Sequence, residues 1–171
     1  FRTNGNVYFA SNTNRQSWNG CYWVLNAAAP ISTDGVITIR NGNTATLTAS
    51  IALDQLVVAS GGILTVNSGQ TLTINDGTGT DLDVTGTIDN SGTITPTGTI
   101  VFNASSNYNH AQNGGTIPTA TWNSSSNCNI TGITTTVPGG LSQSFGNFSW
   151  NCIGQTTSNL NINPLSVTSG G

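Results

Sequence analysis

VITIRNGNTATLT (residues 36–48), QLVVASGGILTVNSGQTLTI (55–74) and DLDVTGTIDNSGTIT (81–95) decide the fold. Within them VITI (36–39), TATLT (44–48), QLVV (55–58), ILTV (63–66), TLTI (71–74), DLDV (81–84), TID (87–89) and TIT (93–95) each read as a short strand, and TIVF (99–102) adds one more. Each holds apolar residues spaced by polar ones, the period of a half-buried strand. Turn signals separate them: Asn41-Gly42, Gly61-Gly62, Ser68-Gly69, Asp76-Gly77, Gly86 and Ser91-Gly92. No helical period intervenes. The rhythm is too tight for most sandwiches and predicts an all-β, single-domain β-solenoid, a right-handed parallel β-helix in which like strands stack.

Composition narrows the functions. Charged residues are 5% of the 171, against about 25% in average proteins. Lys, Glu and Met are absent, and Arg2, Arg15 and Arg40 are the only permanent side-chain cations. Nucleic acid is excluded as a partner, because phosphate neutralisation needs clustered Lys or Arg. An anionic membrane surface is disfavoured for the same reason, and no apolar run is long enough to insert into a bilayer. Few cationic cleavage sites suit a protein exposed to extracellular proteases, although solenoids favour Thr, Asn and Gly in any case. Periodic β-branched residues and a net charge of −3 argue against disorder. Phe1 is preceded by no basic or apolar leader, which reads as processing or as a piece of a longer chain.

The segments divide in order. Residues 1–34 are rich in aromatic residues and Asn and read as an N-terminal aromatic cap, since an open solenoid end exposes strand edges. Residues 35–171 form the solenoid body with C-terminal closing strands. Within it, 103–122 read as a polar turn or excursion, and Phe145, Phe148 and Trp150 as residues that seal the core. Cys128 and Cys152 sit in similar settings and are the candidate disulfide, with Cys21 left over. Three Cys with one His match no zinc spacing.

Several chemistries compete for the remaining residues. Acyl transfer needs a nucleophile, a base and an orienting group; the sole histidine, His110, lies in a polar stretch without GxSxG and reads as a surface or turn residue. Glycoside hydrolysis needs two placed carboxyl groups, and most of the six Asp read as turn residues. The chain therefore reads as a non-enzyme with no cofactor. Calcium is the one metal candidate: Asp76, Asp81 and Asp83 in Asp-Gly-Thr-Gly-Thr-Asp-Leu-Asp resemble a single degenerate copy of a Ca²⁺-binding nonapeptide. Trp18, Tyr22, Trp23, Tyr108 and Trp122 are candidates for stacking on sugar rings, weighed against burial in a cap or core. Thr-x-Thr triplets, as at Thr44/Thr46/Thr48 and Thr93/Thr95, suit an ice-binding face or simply exposed strand positions. Four Asn-x-Ser/Thr sequons are what this composition gives by chance.

The wording of DGVITIRNGNTATLTASIALDQLVV, GGILTVNSGQTLTINDGTGTDL, GTIDNSGTI, HAQNGGTIPTATWNSSSNCNITG and VPGGLSQSFGNFSWNCIGQT resembles a repeated module of very large secreted Bacteroidota surface proteins, of adhesin and gliding type and exported by the type IX system. The resemblance covers about residues 30–157. It implies an extracellular, cell-surface, β-helical protein with a structural or adhesive role and transfers no catalytic residue. The sorting domain usual at the C-terminus is missing, and the chain is far shorter than those adhesins. The expected function is rigid display, with end-to-end self-assembly into a filament or attachment to neighbouring modules of a larger chain. Glycan binding and ice binding are the alternatives.

Overall fold

The computed structural model describes residues 2–9, 15–18, 23–25, 28–158, 161–162 and 165–167. The chain winds through β1 (Arg2–Thr3) and β2 (Val7–Tyr8), then β3 (Arg15–Trp18) and β4 (Trp23–Leu25). Three full coils follow. They are β5 (Val36–Ile39), β6 (Thr44–Leu47) and β7 (Ile51–Leu53); β8 (Gln55–Val58), β9 (Ile63–Val66) and β10 (Thr71–Ile74); and β11 (Leu82–Val84), β12 (Thr87–Asn90) and β13 (Thr93–Pro96). The later coils keep two walls: β14 (Ile100–Phe102) with β15 (Asn107–His110), β16 (Thr121–Trp122) with β17 (Asn127–Ile130), and β18 (Ser144–Phe145) with β19 (Asn147–Trp150). β20 (Ser166–Val167) follows and pairs with β18.

Like strands stack in parallel, giving a β-solenoid of about six turns with no helix among the described residues. One wall is an eight-stranded sheet, β16-β14-β11-β8-β5-β1-β3-β4. The second is seven-stranded, β19-β17-β15-β12-β9-β6-β2, and the third is the three-stranded β13-β10-β7. Past β13 no further strand joins this sheet among the described residues, and Thr116 and Gly139 form an isolated parallel bridge. All pairings are parallel except β1–β3 and β3–β4, where the chain reverses at the N-terminal end of the first wall.

Alternation sets which residues point inward. In β6, β8, β9, β10, β12, β15 and β17 the second and fourth residues are buried and the others half-covered. A one-residue slip would turn each inward set to water, so the pattern fixes the register. Inward residues form columns along the axis: Ala45, Leu64, Ile88, Tyr108 and Cys128 in one, and Leu47, Val66, Asn90, His110 and Ile130 beside it. Each buried Leu, Ile or Val contributes about 1.5–3 kcal/mol. From β14 onward the core becomes aromatic. Phe102 stacks on Trp122 with centroids 4.1 Å apart, and Trp122 meets Phe145 edge-on at 5.0 Å. Phe148 and Trp150 pack partly buried on that core, alongside the fully buried Phe145.

Two expectations change here. Residues 103–122 are not an excursion: they carry β15, whose Tyr108 and His110 point into the core. Secondly, residues 2–9 belong to the stack itself. Val7 and Phe9 lie in the common core, and β1 and β2 pair with β5 and β6. Of the aromatic residues expected to cap the N-terminus, Phe1 and Tyr22 lie outside the described residues, while Trp18 and Trp23 fall in β3 and β4.

Candidate functional site

The second wall turns two straight columns of side chains outward. One runs Thr44, Ile63, Thr87, Asn107, Asn127, Asn147; the other runs Thr46, Thr65, Asp89, Asn109, Asn129, Ser149. Parallel pairing puts successive members about 4.8 Å apart along the axis. At that spacing one amide reaches the next. Asn147 Nδ2 donates to Asn127 Oδ1 at 3.1 Å and Asn127 Nδ2 to Asn107 Oδ1 at 3.1 Å. In the second column Asn129 Nδ2 donates to Asn109 Oδ1 at 2.9 Å, and Asn109 Nδ2 to Asp89 Oδ1 at 2.6 Å. Each bond spans 20 residues of sequence, the length of one coil here. Bonded amide rows hold their side chains in one orientation, as the Asn ladders of stacked sheets do. The result is a face of fixed donors and acceptors whose only charge is Asp89, itself capped by Asn109.

Behind this face runs a buried polar chain. Gly92 N–H donates to Asn90 Oδ1 at 3.1 Å, and Asn90 Nδ2 donates to Tyr108 Oη at 2.9 Å. Tyr108 Oη lies 3.3 Å from His110 Nδ1, and His110 Nε2 lies 2.6 Å from the Gly114 carbonyl oxygen. A carbonyl only accepts, so Nε2 carries the proton and Nδ1 accepts from the tyrosine hydroxyl. Asn90, Tyr108 and His110 are all 0% exposed. Burial lowers the His110 pKa below 6.5, partly offset by the Gly114 carbonyl, and the ring is held neutral. Burial likewise pushes the Tyr108 hydroxyl and the Cys128 thiol far up. His110, expected at a surface turn, is therefore a core residue that stitches β12, β15 and the following loop. Its burial follows from register, which its polar neighbours in sequence conceal.

The other predicted residues disperse. Asp81 is buried at a corner, where Oδ1 accepts the Gly77 N–H at 2.9 Å and Oδ2 accepts the Thr99 N–H at 2.6 Å and hydroxyl at 3.0 Å. Desolvation raises its pKa, but these hydrogen bonds outweigh it and hold the carboxyl below the usual 3.8. Asp83 points outward and accepts from Asn103 Nδ2, while Asp76 is exposed. No group of three His, Cys, Asp or Glu comes together among the described residues, so Asp76, Asp81 and Asp83 do not converge as one ligand set.

Cys128 and Cys152 are free thiols, which corrects the expected disulfide. Cys128 points inward on β17 in the Tyr108 column, while Cys152 lies past the end of β19 with its Sγ toward the Ile130 carbonyl at 3.4 Å. Two of the sugar-stacking candidates are also corrected. Tyr108 is fully buried, and Trp122 is 9% exposed, stacked on Phe102, with Nε1 donating to Gln143 Oε1 at 2.9 Å. Their inward registers make them core rings. Trp18 and Trp23 belong to β3 and β4, and Tyr22 lies outside the described residues.

The threonine triplets divide among the walls. Only Thr71/Thr73 and Thr93/Thr95 stand side by side, on the three-stranded sheet. Where that sheet stops, a groove of about 430 Å³ opens between Pro96, Thr99 and Ile100 on one side and Thr119, Ala120 and Thr121 on the other. Sequence reading missed the amide columns. Their signal was the 20-residue echo of Asn103-Ala-Ser-Ser-Asn-Tyr-Asn-His in Asn123-Ser-Ser-Ser-Asn-Cys-Asn-Ile. Comparison with protein-family models, with curated proteins and with solved structures returns no match.

Proposed function

We propose that the protein is a non-enzymatic structural and adhesive element of an extracellular surface, a stiff rod that displays the amide face of its seven-stranded wall. The carrying observation is the pair of bonded amide columns. Their side chains are already ordered, so a ligand that hydrogen-bonds to them meets a smaller entropic cost than it would at mobile side chains. The near absence of charge leaves little long-range repulsion between neighbouring rods. Extracellular placement is supported by the scarcity of cationic residues and by the resemblance to secreted Bacteroidota surface modules. The ligand class that fits neutral donors and acceptors in rows is a glycan, bound through Asn amides and not through Tyr108 or Trp122.

Growth of the rod belongs to the same reading. At the C-terminal end β18 and β20 pair as a separate two-stranded sheet, while β19 is the last described strand of the second wall. An edge strand is a template for another strand. A second copy or a neighbouring module that adds there makes a heterologous contact that does not close, and hence a filament. Electron microscopy with light scattering across concentration tests this growth, and a glycan array with whole-cell binding tests display. The reading fails if the pure protein stays monomeric at high concentration and binds neither cells nor glycans.

A further inference from the structure

We propose that Asn113 is a self-modifying residue, whose side-chain amide converts to a carboxylate within the folded protein. Its Oδ1 accepts three consecutive backbone N–H groups of the next coil: Thr134 at 2.9 Å, Thr135 at 2.8 Å and Thr136 at 2.9 Å. Its Nδ2 donates to Thr135 Oγ1 at 3.1 Å. Successive N–H groups converging on one point make a concave anion site. A neutral amide oxygen fills that site here, although a carboxylate oxygen would bind it more strongly, since charge-assisted hydrogen bonds are roughly twice as strong as neutral ones.

The residue that follows supplies the chemistry. Gly114 has φ 65, in the left-handed region where a side chain is disfavoured, so nothing branches beside its backbone nitrogen. That nitrogen attacks Asn113 Cγ. A nitrogen–carbon bond forms, the carbonyl π electrons move onto Oδ1, and the Gly114 amide proton gives up its hydrogen bond to the Thr136 carbonyl and passes through water to Nδ2. The Cγ–Nδ2 bond then breaks and ammonia leaves, giving a cyclic imide. Water opens the ring to the acid. The sum is one amide and one water giving one carboxyl group and one ammonia, with no oxidant or reductant. Negative charge develops on Oδ1, where the three donors point, which is the arrangement that stabilises an oxyanion. The Asn113 side chain is exposed while Gly114 is buried, so water enters and ammonia departs on the Asn113 side.

The chain contains its own control. Asn41-Gly42 is the same dipeptide, with Gly42 at φ 75. Gly42 N–H donates to the Gly61 carbonyl at 2.9 Å, just as Gly114 N–H donates to Thr136 O at 2.9 Å. Both glycines are hydrogen-bonded to the next coil in the same way; Asn113 differs in the three donors on its side-chain oxygen and in the burial of Gly114, where Gly42 is exposed. Mass spectrometry of the full chain, incubated folded at neutral pH and in parallel in concentrated urea, reads conversion at each site. We expect Asn113 to convert at least about tenfold faster than Asn41 when folded, a fraction of the 10²–10³ that one oxyanion donor can supply. The two rates should be equal in urea. A folded ratio of one or below, or a preference that survives in urea, overturns the proposal.

Discussion

Asn113 and Asn90 both accept backbone N–H groups on Oδ1, yet they answer to different physics. Asn113 is exposed and takes three donors from across a coil boundary, so a full charge at that oxygen is solvated by water and by the site together. Asn113→Asp should raise stability at neutral pH by about 1 kcal/mol, the gap between charged and neutral acceptors. Urea denaturation at pH 7 and pH 3 checks it; the gain should shrink at pH 3, where the new carboxylate protonates. Asn90 is buried in the chain that runs to His110, where charge is disfavoured. The neutral form of His110 is the one the fold holds, with a pKa below 6.5. As pH falls through about 6.5 the unfolded chain takes its proton before the folded one. Stability is therefore full above that value and declines below it, by at most about 1.4 kcal/mol per pH unit. Replacing His110 with Asn should abolish this slope in denaturation midpoints measured between pH 7.5 and 5, whatever it does to stability at pH 7.5. Asp81 acts in a separate window, because its lowered pKa contributes stability that is lost only as pH falls below about 3.8.

Among the elements, strands were legible where aliphatic residues cluster in short runs between turn signals. VITI, QLVV, ILTV and TLTI fall on β5, β8, β9 and β10 residue for residue. β7, with Ile51-Ala52-Leu53, is three residues long and merges with its flanks. β15 was missed because Asn-Tyr-Asn-His has no β-branched residue, and only its stacking between β12 and β17 makes it a strand. The same cause hid the candidate site. Whether an Asn faces water or the core is a property of register, and a chain so rich in Asn gives no local cue. Turns were legible as Gly positions but not as devices. Gly98, which is not among the turn signals, is such a device, since a Cβ built there would overlap Asn75 O and Asp81 Oδ2. Gly98→Ala should push the corner apart, disturb the hydrogen bonds on the Asp81 carboxylate, and cost about 2–4 kcal/mol. Thermal melts would reveal that loss, whereas an effect below 1 kcal/mol would mean that the corner yields freely.

For the whole molecule, the open question is what limits the rod, and the geometry makes it a question about one strand. β19 bonds to β17 through alternate residues: Asn147 N–H donates to Ser126 O at 2.8 Å, and Asn151 N–H to Ile130 O at 2.9 Å. In a parallel strand the intervening residues direct their backbone groups to the other side, which leaves the backbone N–H and C=O of Phe148 and Trp150 on the outer edge while their side chains pack on the core. Ser149 is exposed between them. A lysine at an edge strand is a common guard against strand addition, because its charge resists being paired away from water. Ser149→Lys should leave the denaturation midpoint of the single chain within about 0.5 kcal/mol, as exposed substitutions do, while moving any concentration-dependent association to at least about tenfold higher protein, the equivalent of 1.4 kcal/mol per contact. Association of the unaltered chain should change little with added salt, since a chain with three Arg and six Asp has few charges to screen. Light scattering over a dilution series, at low and high salt, separates the causes. If Ser149→Lys assembles as readily as the parent, the rods join elsewhere. If salt alone governs assembly, the contact is ionic and the edge of β19 is not its site.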